Sequence, residues 1–324
     1  MLKDTEYAYA VAKVRVHEAA LLKKADTERL IAAADAREFF RVLADLGWQE
    51  AEETENLNAL LQKRAENCWA LLSECAPDAA ELRFLIVPND FHNLKAVLKA
   101  LVSGCELAGL IQTPALTSVE LLQQALREKH FSLLPPYLRQ PAEQAYRLIT
   151  QTADGFATDV YLDNAALAVQ YQMAESTRCS LFLKVAAARL QGAAFQAALR
   201  LCSRGKDAAF IKPLLPQSPA LNAAALAAAA AQSTEELAAY LTTVWGPAAG
   251  KAALKGFSSF ERFCDDRLLQ LLDEARLISL GPQPLAAYYF AVAAELKTVR
   301  IIFNCKQNGI SREDIEKRVR ALYV

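Results

Sequence analysis

Residues 91–100 read FHNLKAVLKA and predict an amphipathic helix. Apolar side chains recur there at steps of three and four, so they share one face. That face holds Phe91, Leu94, Leu98, Leu101 and Val102. Lys95 and Lys99 fall outside it. The Pro-Asn-Asp at residues 88–90 is typical of a helix start and Gly104 of a helix end, which bounds the predicted helix.

Two later segments, residues 192–201 and 293–299, echo this stretch weakly. Their alignment places Asn93, Ala194 and Glu295 at one shared position, at intervals of 101 residues. Similarity at a fixed interval indicates a repeated structural unit, so we predict a threefold repeat. The alternative explanation is chance, because unrelated amphipathic helices also align at this level of identity.

The composition predicts an all-α protein with two or three units. The chain has 324 residues, of which 53% are hydrophobic and 23% are charged, enough to bury large cores. Only 11 glycines and 12 prolines interrupt a sequence rich in Ala, Leu, Glu, Lys, Arg and Gln, which lose little side-chain freedom in a helix. No run of alternating β-branched residues indicates a strand.

Several helix ends are predicted from capping residues. Asp26 is typical of the N-cap of a helix that runs from Thr27 to Leu46. Thr117 with Glu120, and Ser233 with Glu236, have the spacing of capping boxes; both pairs precede apolar helical runs. Prolines cluster in residues 134–141 and 212–219, which predicts breaks in the chain there.

Charge and hydropathy exclude several classes of partner. Thirty-six basic and thirty-seven acidic side chains leave a formal net charge of −1, too balanced to attract nucleic acid or an anionic membrane by bulk charge. No stretch reaches the ~18 apolar residues of a membrane span, so we expect no direct membrane insertion. The start of the chain lacks the pattern of a signal peptide, which predicts a cytoplasmic protein. Seven scattered cysteines without CxxC pairs predict reduced thiols.

Two motifs are poor matches to catalytic signatures. Residues 246–251, GPAAGK, differ from a phosphate-binding loop in spacing, and Ala252 stands where Ser or Thr is needed, so we interpret them as a loop between helices. Asp265-Asp266 is similar to the acidic pair of a metal-diphosphate site, but Leu269 replaces the acid needed one turn later.

The three histidines, His17, His92 and His130, lie in separate predicted helices without metal ligands at suitable spacing. We interpret His17 as a core or interface residue, because it follows Val14 by three positions. The sequence therefore predicts no catalytic residue, no cofactor-binding residue and no metal ligand.

Polar residues crowd the predicted helix start, namely Asn89, Asp90, His92 and Asn93. We favour capping of free backbone N–H groups as their role. The alternative is that a polar set forms contacts between domains or with a partner. That set consists of Asn93, Lys95, Glu295, Lys297 and Arg300.

The C-terminal residues carry the most specific resemblance to a known family. Residues 295–324 comprise a Glu-x-Lys-x-Val-Arg helix, a Gly-Ile turn and a capped helix that closes on Tyr-Val. An early helix at residues 7–22, the Asn-Asp-Phe-x-Asn-Leu-Lys of residues 89–95 and Leu162-Asp163 precede them in order. Together these segments resemble the C subunit of V/A-type rotary ATPases, which is similar to the d subunit of eukaryotic vacuolar pumps. Ala194-Phe195 departs from the Asn-Ile pair that the family often has.

The resemblance implies three similar helical domains around a pseudo-threefold axis, with a funnel shape and a central cavity. Their expected boundaries are residues 1–134 with the first repeat, 135–235 with the second, and 236–324 with the third. It also implies a non-catalytic central-stalk subunit of a rotary ATPase. The expected partners are the D- and F-type shaft subunits and the proteolipid rotor ring. We expect a location peripheral to the membrane, through the complex.

Two other functions fit the sequence less well. A helical-repeat scaffold for an unrelated partner agrees with the amphipathic helix pairs, but solenoids repeat every ~34–47 residues and no such period is present. An all-α enzyme requires acidic or histidine clusters on one helix face, and the sequence supplies none.

Overall fold

The computed structural model describes residues 3–48, 56–107 and 109–324. None of these residues lies in a β-strand, and the predicted all-α class is confirmed. The α-helices are α1 (Ala8–Glu18), α2 (Lys24–Ala32), α3 (Ala36–Asp45), α4 (Leu57–Cys75), α5 (Arg83–Ser103), α6 (Val119–Arg127), α7 (Pro136–Thr152), α8 (Gly155–Ser176), α9 (Ser180–Cys202), α10 (Ala208–Ile211), α11 (Ala223–Gln232), α12 (Thr234–Trp245), α13 (Pro247–Leu254), α14 (Phe257–Leu272), α15 (Gln283–Gln307) and α16 (Arg312–Arg318). Short 3-10 helices are Asp4–Tyr7, Ala79–Leu82, Phe131–Leu133, Lys212–Leu214 and Asp273–Leu277.

The packing divides the chain into two compact units. The first unit comprises Met1–Glu81 and Glu261–Val324, and the second comprises Leu82–Phe260. The boundaries expected after residues 134 and 235 both fall inside the second unit. The division into three domains stays a prediction.

The first unit is organised around α15. This helix lies against α1, α2, α3, α4 and α16, and most of its side chains are buried on several faces. Phe39, Phe40 and Phe303 form an aromatic cluster, with ring centroids 5.2 and 5.7 Å from Phe303. Burial of each such ring contributes about 1.5–3 kcal/mol, so this cluster fixes α3 firmly on α15.

The second unit is a chain of packed helices. Helix α5 packs against α6, α7 and α8. Helix α8 also packs against α9, and α9 packs against α11 and α12. Phe195 on α9 meets Trp245 on α12 edge to face, with centroids 4.8 Å apart. A separate buried cluster in this unit contains Leu94, Leu98, Leu122, Leu138 and Leu162. The predicted apolar face of residues 91–102 therefore lies partly in a core.

Helix α5 begins earlier than predicted, because Pro88 is inside it. Proline has no N–H to donate to the carbonyl four residues back, which is that of Phe84. The side chain of Gln170 on α8 donates to this oxygen at 2.8 Å. The hydrogen bond from another helix removes the reason for α5 to stop, and the prediction of a helix start at residues 88–90 is wrong.

The single helix predicted from Thr27 to Leu46 is two helices, α2 and α3. Asp35 has an extended backbone and accepts a hydrogen bond from the amide of Glu38 at 2.8 Å, so it starts α3. Asp26 is not an N-cap, because α2 begins at Lys24. Its carboxylate instead accepts from the Lys23 amide at 2.9 Å. The apolar spacing continued through the break and concealed it.

One of the two predicted capping boxes starts its helix as predicted, and the other does not. Ser233 caps α12 as predicted, because it accepts from the amide of Glu236 at 3.1 Å. Helix α6 is capped by Ser118 rather than by Thr117. The hydroxyl of Thr117 donates instead to Asp90.

The GPAAGK motif is mostly helical, which corrects its interpretation as a loop. Gly246 has a φ of 91° and separates α12 from α13, and the rest of the motif lies in α13. Gly250 is buried against α12, where a Cβ would lie 2.7 Å from the carbonyl oxygen of Ala238 and would also meet Thr242. This glycine serves close helix packing.

Candidate functional site: polar anchors on three long helices

The three positions of the repeat all lie deep inside long helices. Asn93, Ala194 and Glu295 belong to α5, α9 and α15, and each is almost fully buried. Burial of a polar side chain costs free energy unless the side chain has hydrogen-bond partners. The partners of Asn93 and Glu295 therefore show which segments of the chain these two side chains bind. We call such a side chain a polar anchor when it binds a backbone group of another segment of its own unit.

Asn93 anchors the segment of residues 110–117. Its Oδ1 accepts from the amide of Gln112 at 2.8 Å, and its Nδ2 donates to the carbonyl of the same residue at 2.9 Å. Asn89 donates to the carbonyl of Pro114 at 2.7 Å, and Nε2 of His92 lies 2.9 Å from the carbonyl oxygen of Leu110. These side chains supply hydrogen-bond partners to backbone groups of a segment that is not helical.

Asp90 binds the end of the same segment. Its carboxylate accepts from the amides of Leu116 and Thr117 at 2.7 and 3.2 Å and from the Thr117 hydroxyl at 3.0 Å. Tyr137 on α7 also donates to it. Burial raises the pKa of Asp90, and these hydrogen bonds oppose that rise because they favour the carboxylate.

Capping, the interpretation favoured for these four polar residues, is therefore wrong. Residues 89–93 lie more than one turn inside α5, where backbone N–H groups already have helical partners. Their side chains serve the backbone of another segment. The sequence correctly indicated that these polar side chains bind free backbone groups. It assigned those groups to the helix itself, whereas they belong to another segment.

The middle helix is anchored one turn away from the aligned position. Ala194 has no polar group, but Gln191 on the same helix donates from Nε2 to the carbonyl of Ala220 at 2.6 Å. Its Oε1 accepts from the indole nitrogen of Trp245 at 2.8 Å. We did not predict Gln191. The available signal was a glutamine one helical turn before the aligned alanine.

Glu295 is the charged anchor. Only 1% of it is exposed, and it accepts from the amide of Leu22 at 3.2 Å. Arg64 on α4 lies 3.5 Å from the other carboxylate oxygen and rests over the ring of Trp48. Burial raises the pKa of Glu295, while the Arg64 charge and the Leu22 amide act in the opposite direction.

Lysines beside the anchors connect neighbouring helices. Lys95 and Lys99 on α5 pair with Asp163 and Asp159 on α8, at 2.6 and 2.7 Å. Both pairs are partly exposed, so each contributes about 0–1 kcal/mol. Lys95 thus makes its polar contact within one unit, and the alternative of contacts between domains or with a partner stays a prediction.

The first unit has a related but larger ionic network. Lys297 on α15 lies 2.7 Å from Asp265 and 3.4 Å from Glu261, both on α14. The buried Arg320 binds the same two carboxylates at 2.6 and 3.1 Å. Arg300 is exposed and takes no part in the network among the described residues.

This network explains Asp265-Asp266. Asp265 is occupied by two cationic side chains, and Asp266 accepts from the amide of Ala321 at 2.9 Å. The pair therefore binds the segment that follows α16. Within the residues that the structure describes, no three His, Cys, Asp or Glu side chains are grouped so that they could hold a metal ion.

The histidines lie apart from one another along the fold. His17 is exposed on α1, with its ring centroid 6.4 Å from that of Tyr288, so it is not a core residue, and its interpretation as an interface residue stays a prediction. His130 is exposed, and His92 belongs to the loop contacts of α5. Of the three histidines, His92 alone takes part in binding the segment of residues 110–117 to a long helix.

The comparisons with known proteins confirm the family that the sequence resembles. The family of the ATP synthase (C/AC39) subunit matches residues 10–318. The C subunit of the V-type sodium ATPase of Enterococcus hirae is 22% identical over 272 residues, which cover 83% of each protein. No helix in the described ranges has both the length and the apolar character needed to cross a membrane. The chain belongs to the C/AC39 family, whose members are non-catalytic accessory subunits of V/A-type rotary ATPases.

Proposed function

We propose that this chain is a central-stalk subunit that couples the rotating shaft to the membrane rotor ring. Its partners are the D- and F-type shaft subunits and the proteolipid ring. ATP-driven rotation passes through it to move ions, and synthesis uses the same path in reverse. Its place is at the cytoplasmic side of the membrane, to which the complex holds it.

The observation that carries this proposal is the set of polar anchors on α5, α9 and α15. A part that transmits torque needs segments that do not shift relative to one another, which requires close packing and bound loops. Asn93, Gln191 and Glu295 each tie a non-helical backbone segment to a long helix inside its unit. These anchors are consistent with a stiff body. In each of them the buried polar side chain is used to hold a segment of the chain in place.

We also propose three similar helical domains, residues 1–134, 135–235 and 236–324, around a pseudo-threefold axis with a funnel-shaped cavity. A recurring helix pairing supports this arrangement. Helix α5 packs on α8, which precedes α9, and α15 packs on α4, which precedes α5. The guanidinium of Arg200 on α9 lies 4.1 Å from the ring centroid of Phe257, at the start of α14, which precedes α15. Helices α5 and α15 thus each pack on the helix before another long helix, and one side chain of α9 contacts the start of α14.

The test is removal of this subunit from the assembled pump. We expect membranes that lack it to hydrolyse ATP with little or no ion transport, because the shaft and the ring are no longer joined. Returning the purified chain should restore transport per ATP hydrolysed. Fully coupled transport in its absence would refute the proposal.

A biochemical control separates coupling from assembly. The chain should co-purify from detergent-treated membranes with shaft and ring subunits. If it co-purifies only with stationary subunits, its role is structural support outside the rotor, and the proposal is wrong even if transport falls.

A further inference from the structure

Residues 319–324 follow α16 and are not helical, and we call them the strap. The side chain of Arg320 in the strap is buried and binds two carboxylates of α14. Its Nε lies 2.6 Å from Asp265, and another of its guanidinium nitrogens lies 3.1 Å from Glu261. Hydrogen bonds between ionised groups are the strong ones. The base of the strap is therefore held to α14 mainly by charge.

The rest of the strap is bound at two further points. The amide of Ala321 donates to the carboxylate of Asp266 at 2.9 Å. Tyr323 is only 3% exposed, and the guanidinium carbon of Arg276 lies 4.5 Å from its ring centroid. Arg276 also donates to the Tyr323 carbonyl. The closed position of the strap is thus defined from its base to its end.

On the side of α2, the strap is not closely packed. A cavity of about 530 Å³ is lined by Thr27 and Ile31 of α2 and by Val319 and Leu322 of the strap. The last two side chains are only partly buried against the core of the first unit. Charged residues that also line the cavity are Lys24, Glu28, Arg262 and Glu316. Loose packing forfeits part of the contact energy, so apolar contacts fix this part of the strap weakly.

A second cation binds the carboxylates that hold Arg320. Lys297 on α15 lies 2.7 Å from Asp265 and 3.4 Å from Glu261, and its side chain is 39% exposed. Loss of one partner of a buried ion pair is normally costly, because it leaves the other charge without compensation. Here Lys297 remains beside both carboxylates when Arg320 leaves. The acidic pair therefore has a cation whether the strap is bound or released.

The other charged groups around the strap have partners of their own. Their ion pairs are Arg262 with Asp266 at 3.5 Å, Arg312 with Glu316 at 2.8 Å and Lys317 with Asp314 at 3.0 Å. None of these pairs contains Glu261 or Asp265. The two carboxylates are thus shared by Arg320 and Lys297.

We propose that the strap is a reversible latch on α14, in which Arg320 and Lys297 compete for the carboxylates of Glu261 and Asp265. In the closed position both cations bind the two carboxylates. In the open position Arg320 is hydrated and Lys297 alone binds them, while the rest of the first unit stays folded. The latch is a property of the first unit and does not depend on the proposed function.

The experiment measures amide hydrogen exchange of Ala321 in the whole purified chain, because this amide loses its acceptor when the strap opens. The amide of Leu22, bound to Glu295 in the same unit, reports unfolding of the unit and should exchange more slowly. We expect Asp265→Asn to speed exchange of Ala321 at least about tenfold, because Arg320 loses its closest acceptor. Glu316→Gln is the matched control and should leave the rate unchanged.

A second variant tests the competition itself. Lys297→Met should slow exchange of Ala321 at least about threefold, because the open position then leaves two carboxylates without a cation. Lys317→Met removes an exposed lysine of α16 and should leave the rate unchanged. A cluster that only supports the fold predicts the opposite sign, since loss of any member would loosen the strap.

Several results would overturn the latch. One is an unchanged rate for Ala321 in Asp265→Asn, and another is a rate in Lys297→Met that is unchanged or faster. Equal rates for Ala321 and Leu22 in the unaltered chain would mean that the strap opens only when the unit unfolds. An equal acceleration of both amides in Asp265→Asn would mean the same. If Asp265→Asn does not fold, Glu261→Gln takes its place and should also speed exchange of Ala321.

Discussion

The loop anchor of the second unit and the anchor of the first unit solve one problem with different chemistry. On α5, Asn93 and Asp90 hold residues 112–117 through neutral donors, namely amides and hydroxyls. On α15, Glu295 holds the Leu22 amide beside one cation, Arg64. Both sites are buried, so each polar group depends on its partners.

The difference teaches which site depends on charge and which depends on geometry. Asp90 has enough hydrogen bonds to remain satisfied without a cation, and its loss leaves several donors alone. Glu295 has fewer hydrogen bonds, and it relies on Arg64 to offset the cost of burying its charge. The stability of the first unit should therefore depend on pH. The stability of the second unit should depend mainly on whether the Asp90 side chain is present.

The largest expected effect is that of Asp90→Ala. It leaves the amides of Leu116 and Thr117 without their acceptor and leaves the Tyr137 hydroxyl only Thr117 as a partner, which should lower the free energy of unfolding by about 3–5 kcal/mol. Urea unfolding measures this loss. The control is Asp163→Ala, which removes an exposed partner of Lys95 and should cost about 0–1 kcal/mol. Equal losses would show that Asp90 is no anchor.

The next effect is that of Arg64→Met, and it should depend on pH. We expect a loss of about 2–4 kcal/mol near about pH 8, because Glu295 is left as a buried carboxylate without its cation. Because burial raises the pKa of folded Glu295, its stabilising contribution is greatest below its unfolded pKa and declines as pH rises through the folded value.

Without Arg64 the folded pKa of Glu295 rises further, so the loss should be smaller near about pH 5 than near about pH 8. Urea unfolding of both proteins at the two pH values measures this trend. Other titratable groups near the carboxylate are Cys68 and Tyr288. The double variant Arg64→Met with Glu295→Gln should lose the pH dependence. A loss of the same size at both pH values contradicts the role given to charge.

A third substitution tests the second unit, in which the hydrogen-bond donors are uncharged. Gln170→Leu removes the donor to the Phe84 carbonyl and should cost about 1–3 kcal/mol. Pro88→Ala supplies an N–H in the same helix, so the loss from Gln170→Leu should shrink in that background. A double-mutant cycle of unfolding free energies tests this coupling. Independent, additive losses would mean that the two residues do not share the Phe84 carbonyl.

Much of the fold could be predicted from the sequence, and the error at Pro88 has a clear physical cause. Apolar spacing placed a helix around residues 91–102 correctly, because that pattern reflects burial on one face. Pro88 was misread because its helix is maintained by Gln170, which lies 82 positions further along the chain. Local rules cannot include a hydrogen bond from another helix.

The anchors show the same limit. Asn93 and Glu295 were singled out by their repeat position, but their partners Gln112 and Leu22 gave no signal, because any residue offers a backbone amide. Gln191 was missed because the anchor moved by one turn while the alignment stayed fixed. Family motifs identified the chain, and geometry alone identified what its polar residues bind.

The smallest expected effect is that of Lys95→Met. It removes a partly exposed ion pair with Asp163 and should change the free energy of unfolding by about 0–1 kcal/mol, with the effect reduced in salt. Unfolding at low and high salt measures it. A loss as large as that of Asp90→Ala would make the exposed pairs, rather than the buried anchors, the main supports of α5.

The central claim is that polar anchors make loop segments part of the stiff helical body. Amide hydrogen exchange of the native protein tests it most directly. We predict that the amides of Gln112, Leu116, Thr117 and Leu22, which lie outside helices, exchange as slowly as amides in the cores of α5 and α15. The amide of the exposed Glu106 should exchange much faster. Exchange of the four anchored amides at the rate of Glu106 would contradict the account.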